Sequence, residues 1–229
     1  MKEKDENFGE RVIPAFPVPN IVFFPNTRLP LHIHEKRYIK MVKDVLSKDK
    51  LIAMFLLKGG ESEGYREYPE FYQIGCAGKI VAFSELQDGR YNIVLSGVFK
   101  VKVLEIIKGD EYQKVKVKVI KDSLPPENVQ RILKKELLES SEMFLNFIGE
   151  KQENIKNIIT IGSLMPFEEA MNWACTLVVA GVREKQKLLE INAVQERCIS
   201  VMKVMNETIT HLRILDFFKH LRPSDPSLN

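Results

Sequence analysis

Near residue 122 the hydrophobic pattern of this chain changes its period, from that of strands to that of helices. Before that point, residues 11–19 (RVIPAFPVP), 51–58 (LIAMFLLK), 74–86 (IGCAGKIVAFSEL), 91–107 (YNIVLSGVFKVKVLEII) and 112–121 (YQKVKVKVIK) read as strands. Prolines in the first suit an edge or extended strand, whose amides are not all needed in a ladder. Asp88-Gly89 supplies a tight hairpin turn, and Lys108-Gly109-Asp110 the next one. One helix is predicted over 34–49, with Tyr38, Ile39, Val42, Val45 and Leu46 on one face.

After Ser123-Leu124-Pro125-Pro126, Val129, Leu133, Leu137, Phe144 and Ile148 fall along one long helix, opened by Pro126. Pro166 opens a second over 167–181, which Gly181 is expected to close as a C-terminal cap. A third covers 183–191. Val194, Cys198, Val201, Met205, Leu212 and Leu215 make 193–219 a long amphipathic helix. The tail RPSDPSLN (222–229) is expected to be frayed. The predicted class is α+β, with a β-rich domain at 1–122 and an all-helical domain at 123–229.

A chain of 229 residues can bury a core without metal or disulfide staples. Its net charge of +3 is too small to point to nucleic acid, and the excess sits in the first half: 21 Lys and Arg against 17 Asp and Glu in residues 1–122, 13 against 14 thereafter. The charged start, MKEKDENFGER, is not a secretory signal, and no stretch has the length of a membrane span. Cys76, Cys175 and Cys198 are odd in number and widely spaced, as reduced packing thiols of a cytoplasmic protein are.

No constellation for chemistry assembles. GCAGK (75–79) lacks the spacing and the following Ser or Thr of a phosphate loop, so its glycines are read as serving a bulge or close backbone packing. His32 and His34, with Glu35 beside them, could supply two metal ligands; His211 and His220 lie far away, so hydrogen-bonding histidines are the favoured reading. KVKVKVIK (114–121) puts valines on one face and lysines on the other, either a basic ribbon for a phosphate backbone or an edge or one-sided strand protected from aggregation. The second is favoured, because clustered aromatics are missing there, though Phe83, Tyr91 and Phe99 occur nearby. REKQK (183–187) reads as a solvated helix start, and Met171 and Trp173 as helix packing.

The segment IPAFPVPNIVFFPNTRLPLHIHEKRY (13–38) is too broken for a helix and too apolar for a surface loop. Its proline-punctuated strand, Phe24-Pro25, Leu29-Pro30-Leu31-His32-Ile33, Glu35 and Arg37-Tyr38 resemble the start of the N-terminal, substrate-binding domain of Lon proteases, and more closely bacterial stand-alone proteins made of that domain. His34 stands where Phe is usual and Lys36 where Pro is usual. The likeness continues through 74–103, where Gly97 is followed by a basic position, Lys100, commonly Arg, and through 184–197. It implies a PUA-like β-rich pseudo-barrel followed by a helical domain. The prolines would hold the chain extended at the barrel rim while Ile21, Val22, Phe23 and Phe24 dip into the core.

The function this resemblance implies is a non-catalytic protein-binding module. It would hold unfolded or extended client segments, as an adaptor to a separate protease, with no cofactor, no metal and no ATPase or protease chemistry. A groove between the two domains or a free β-edge is the expected place, with no lining residues assigned. The alternative is an RNA-binding PUA-like protein, and a third reading is an accessory with a hidden hydrolase site. Self-association through the last helix is compatible with its stripe, as is burial within one chain.

Overall fold

The computed structural model describes residues 9–59, 69–109, 111–178 and 180–220. Asp110 of the second expected turn and the tail at 222–229 lie outside them. The chain forms two compact units, Met1–Ser123 with Gly181–Ala193, and Leu124–Ala180 with Val194–Asn229.

The first unit is a six-stranded sheet with strand order β2-β5-β4-β3-β1-β6, closed into a barrel by an added β5–β6 pairing. Its strands are β1 (Arg11–Val18), β2 (Arg28–Ile33), β3 (Leu51–Leu56), β4 (Ile74–Glu85), β5 (Tyr91–Ile107) and β6 (Lys114–Ile120). β5 pairs with β4 on one side and is long enough to serve two neighbours on the other: its first part pairs with β2, its second with β6. Register shifts in β4 at Val81 and in β5 at Val98 and Leu104 give the bends that closure needs.

β1 is not an edge strand, and its prolines are tolerated for another reason. Arg11–Pro14 pair with β6 on one side, while Ala15–Val18 pair in parallel with β3 on the other. Each half therefore has one ladder, and the Val18 carbonyl, not Pro17, accepts the Leu57 amide. β2 escaped the sequence reading because Pro30 interrupts its short run.

Helix α1 (Lys36–Leu46) buries Tyr38, Met41, Val42 and Val45 at helical spacing. They pack with Phe16, Phe23, Ile33, Met54, Ile80 and Leu95 in one core cluster. A second cluster gathers Ile13, Phe55, Phe71, Val101, Val115 and Val117.

The Ile21–Phe24 segment enters this core without regular structure. Phe23 and Phe24 are buried, Ile21 and Val22 half-buried. The turn behind them is tied on three sides: Thr27 Oγ1 donates to the Phe24 carbonyl at 2.7 Å, Gly97 N to the Thr27 carbonyl at 2.9 Å, and Asn26 N to the Gly97 carbonyl at 3.0 Å. A Cβ on Gly97 would fall on the Phe24 carbonyl oxygen, and one on Gly78 would lie 2.6 Å from the Phe23 ring. The glycines of β4 and β5 thus admit the two phenylalanines.

A fifth helix in chain order, α5 (Val182–Glu190), belongs to this unit although the change of period assigns it to the helical half. Polar groups hold it: Gln186 Nε2 donates to the Ile74 carbonyl at 3.0 Å, and Ser123 N to the Asn192 carbonyl at 2.9 Å. Gln186 is buried, so REKQK is only partly a solvated start. Gly181 does not cap the preceding helix. It has φ −59 and is the N-cap of α5.

The second unit contains α2 (Glu127–Phe147), α3 (Gln152–Leu164), α4 (Phe167–Leu177) and α6 (Val194–His220). Gly149, at φ +81, ends the α2 segment, and α3 follows as a helix that the sequence pattern did not resolve. Only Ile155 and Gly162 of α3 are buried, too few to make a stripe. Helices α2 and α6 run parallel: Leu133 meets Cys198, Ser141 meets Met205, and the Arg213 guanidinium lies 5.4 Å from the Phe147 ring. Val194, Cys198, Val201, Met205 and Ile209 are buried along that contact, but Leu212 and Leu215 are exposed. α2 ends at Phe147, and beyond Arg213 it no longer runs beside α6. Among the described residues no helix is long and apolar enough to cross a membrane.

The close approach at Gly97 yields a direct test. Gly97→Ala should cost about 2–3 kcal/mol, since backbone rather than a flexible side chain stands in the way. Gly89→Asn, at a turn with φ +80 and open space around it, should stay within about 1 kcal/mol. Denaturant midpoints would check both, and equal effects would refute this role of Gly97.

Candidate functional site

A hollow of about 480 Å³ opens within the first unit beside the proline-rich segment. β1 contributes Phe16, Pro17 and Val18, with Pro19 after it; β2 contributes Leu31, His32 and Ile33. His34 and Glu35 lead into α1, which adds Arg37 and Tyr38, and Leu57 completes the lining. The floor is apolar and the rim polar, and the size lies in the range of ligand pockets.

The floor is rigid. Tyr38 meets the Phe16 ring edge-on at 4.6 Å, and the Arg37 guanidinium covers the Tyr38 ring at 4.6 Å. Glu35 holds that guanidinium, with Nε 3.0 Å and an Nη 2.9 Å from its carboxylate. Burial pushes the Tyr38 hydroxyl up to about 12 against the opposing pull of Arg37, so the ring is neutral in the working range.

At the rim His32 uses both ring nitrogens. Nδ1 lies 2.8 Å from Asn92 Oδ1, and Nε2 3.1 Å from an Arg90 Nη, whose guanidinium is paired with Asp88. This arrangement requires the Nδ1–H tautomer, with Nε2 accepting from Arg90. His34 stacks beside His32 with ring centroids 6.0 Å apart. A metal would have to displace the Arg90 contact, and among the described residues no cluster of three or more His, Cys, Asp or Glu could hold an ion.

The remaining residues singled out by sequence have structural partners. Gly75 and Gly78 admit Met54, Phe55 and Phe23, as the close-packing reading of GCAGK requires, while the bulge opposite Ala77-Gly78 lies in β5, at Val98. β6 is one-sided but not an edge: Val115, Val117 and Val119 are buried, and both its sides are paired. Tyr91 is buried, Phe99 half-buried and Phe83 exposed, so these three do not form one exposed row. Met171 is buried and Trp173 half-buried against Gly162.

All three cysteines are buried. Burial drives the Cys76 thiol far above its usual range and Cys198 up to about 12, opposite to what a nucleophilic thiol needs.

Sequence reasoning missed the buried polar groups. Lys100 Nζ lies 2.6 Å from Asp122 and donates to the Ile191 carbonyl at 3.0 Å, tying β5 to the end of the first segment and the residues after α5. In the second unit the buried Arg197 donates to Asn172 Oδ1 at 2.7 Å. Only Lys100 carried a signal, as the basic position after Gly97.

Two tests follow from these groups. Lys100→Met removes the cation beside a buried carboxylate and should cost about 3–5 kcal/mol, most of it recovered in Lys100→Met with Asp122→Leu. An equal loss in single and double variants would contradict the pairing. Raised Cys76, Cys198, Tyr38 and Tyr112 groups make the folded chain hold protons that the unfolded chain releases from about pH 9 upward. Their stabilisation is complete below that pH and is lost as pH rises toward 12. The denaturant midpoint should therefore be lower at pH 10.5 than at pH 8, and a higher midpoint at 10.5 would be inconsistent with the burial.

Among the described residues, two other recesses are more open to solvent than the hollow. A shallow trough of about 640 Å³ along α6 is walled by that helix alone. Another, of about 570 Å³, lies on the β2-β5-β4 surface around Pro30, Phe83 and Val94 and shares Leu31 and His32 with the hollow.

Comparison with known proteins bears on what this unit is. The family described as the ATP-dependent protease La (LON) substrate-binding domain matches residues 12–207. The Lon protease of Cytophaga hutchinsonii is 26% identical over 214 residues, covering 93% of this chain and 26% of that protein. That of Dictyoglomus thermophilum is 27% identical over 221 residues, covering 93% and 27%. The chain thus spans about a quarter of the length of these relatives. Among solved structures, the N-terminal domain of Mycobacterium avium complex Lon protease has a TM-score of 0.67 at 14% identity, covering 86% of this chain and 98% of its own. The Lon N-terminal domain protein from Xanthomonas campestris has a TM-score of 0.57 at 18% identity, covering 84% and 98%. At such identities these structures establish a shared fold: the α+β arrangement of a PUA-like β-rich pseudo-barrel and a helical unit. With a family match across most of its length, this chain belongs to the LON substrate-binding domain family.

Proposed function

We propose that this protein is a non-catalytic recognition module that binds unfolded or extended segments of other proteins, through the hollow between β1, β2 and the start of α1. The observation that carries this reading is the hollow itself, an apolar floor under a rim of His32, His34, Glu35 and Arg37. Such a lining accepts apolar side chains and offers hydrogen bonds at its edge, without demanding one ligand shape. Membership in a substrate-binding family agrees with it. The three thiols are buried away from the hollow, and binding is the chemistry we assign to it. We place the protein in the cytoplasm, where reduced thiols persist, and assign it an adaptor's role beside a separate protease.

Fluorescence anisotropy of a labelled, permanently unfolded polypeptide tests the reading. Binding should saturate, survive moderate salt and ignore an RNA competitor. His34→Glu with Arg37→Glu should weaken it at least ten-fold, and His34→Glu alone should weaken it with little change in melting temperature, since His34 is exposed at the rim whereas Arg37 also holds the Tyr38 ring. Binding unchanged by the double variant would remove the hollow from the proposal. Preference for RNA with steep salt dependence would replace the reading altogether.

A further inference from the structure

We infer that a client segment binds by adding as a strand to the outer edge of β2, with alternate apolar side chains in the hollow and an acidic residue opposite Arg28. This deepens the proposal above and rests on it.

β2 pairs with β5 alone among the described residues. The register is continuous from Arg28↔Ser96 to Ile33↔Tyr91, and the Gly97 amide donates to the Thr27 carbonyl one pair earlier. Antiparallel ladders alternate bonded and non-bonded pairs. Leu29, Leu31 and Ile33 therefore direct their backbone groups toward β5, and Arg28, Pro30 and His32 direct theirs away from it. Pro30 fits this parity, because its missing N–H falls on the side where β5 does not need one.

The outward edge thus offers carbonyl acceptors at Arg28, Pro30 and His32, and amide donors at Arg28 and His32. All three side chains are exposed. On the opposite side of the hollow, Phe16, Pro17 and Val18 belong to the half of β1 paired with β3 only. A chain laid along β2 would have side chains on both faces of the sheet in alternation. Those on the face of Leu29, Leu31 and Ile33 would enter the hollow toward Phe16, Val18 and Tyr38. Those on the other face would lie level with Pro30 and His32.

Charge selects the end of the segment. Arg28 is exposed at the start of β2 and makes no ion pair among the described residues, whereas Arg37 and Arg90 are already matched by Glu35 and Asp88. An aspartate or glutamate in the added strand beside Arg28 supplies the missing partner, and a lysine there is repelled.

Pro30 makes the mode testable, because it accepts one amide and donates none. The probe is a fluorescein-labelled nine-residue peptide of alternating valine and serine with aspartates at one end, N-methylated at one residue at a time. Affinity should fall ten-fold or more at every second residue and hold at those between. Arg28→Glu should lower affinity for this peptide about ten-fold and raise it for the version with lysines at that end. Losses without a two-residue period, in a peptide still weakened by the His34→Glu, Arg37→Glu variant, would overturn strand addition and leave the hollow as the site. Indifference to the Arg28 charge would overturn the acidic selection. No binding by any peptide, with or without N-methylation, would overturn both this inference and the proposal beneath it.

Discussion

The contact between the Phe23-Phe24 turn and the glycines of β4 and β5 governs the geometry of the β-rich unit. Gly97 lets the Phe24 carbonyl approach where any side chain would collide, and Thr27 and Asn26 fasten the turn to the same strand. Two buried aromatic rings then anchor an irregular segment whose amides are met by specific partners. Because Thr27 bonds to Gly97, the parity of β2 on β5 follows, and with it the backbone groups that face outward. The hollow inherits its position from this contact too, since β2 and the entry to α1 form one wall.

Around that anchor the barrel solves two awkward features of its sequence. Prolines in β1 would interrupt a strand paired fully on both sides, so the strand pairs with β6 over one half and β3 over the other. A lysine in a packed layer would be costly alone, and Lys100 is matched by Asp122 and the Ile191 carbonyl. The second solution draws in residues from beyond the helical stretch, which is why α5 belongs with the sheet.

The legible parts of this fold were those written as periodic burial. Val115, Val117 and Val119 alternate with lysines in the sequence and in the structure. Tyr38, Val42 and Val45 mark the face of α1, and Val194 to Met205 mark that of α6. Where burial ended for reasons remote in sequence, the pattern misled: nothing near Leu212 or Leu215 announces that α2 stops at Phe147. Gly181 looked like a cap because a helix precedes it, and its φ of −59 serves the helix that follows. β2 was hidden by Pro30, although that proline marks which side of the strand stays open. The hollow could not be foreseen, since its lining joins residues 16–19, 31–38 and 57 across three elements. Only the segment 13–38, through its family resemblance, pointed to that part of the chain.

Energetics explain why such a site would favour unfolded proteins. Each backbone hydrogen bond of an added strand contributes about 0.5–1.5 kcal/mol net, while ordering a residue costs roughly 1–2 kcal/mol in backbone entropy. Edge pairing alone therefore comes out near zero or below. Burial of apolar side chains in the hollow must tip the balance, at about 1.5–3 kcal/mol for each fully buried large one. A folded protein has few extended stretches whose apolar residues are free at every second position. An unfolded one has many, and a polar exposed linker lacks the side chains to gain from the floor. In the proposed mode, backbone pairing would make the interaction tolerant of sequence, the hollow would select exposed apolar strands, and Arg28 would add a preference of sign. Recognition of disorder in this mode would require no moving part, only an open edge placed beside an apolar floor.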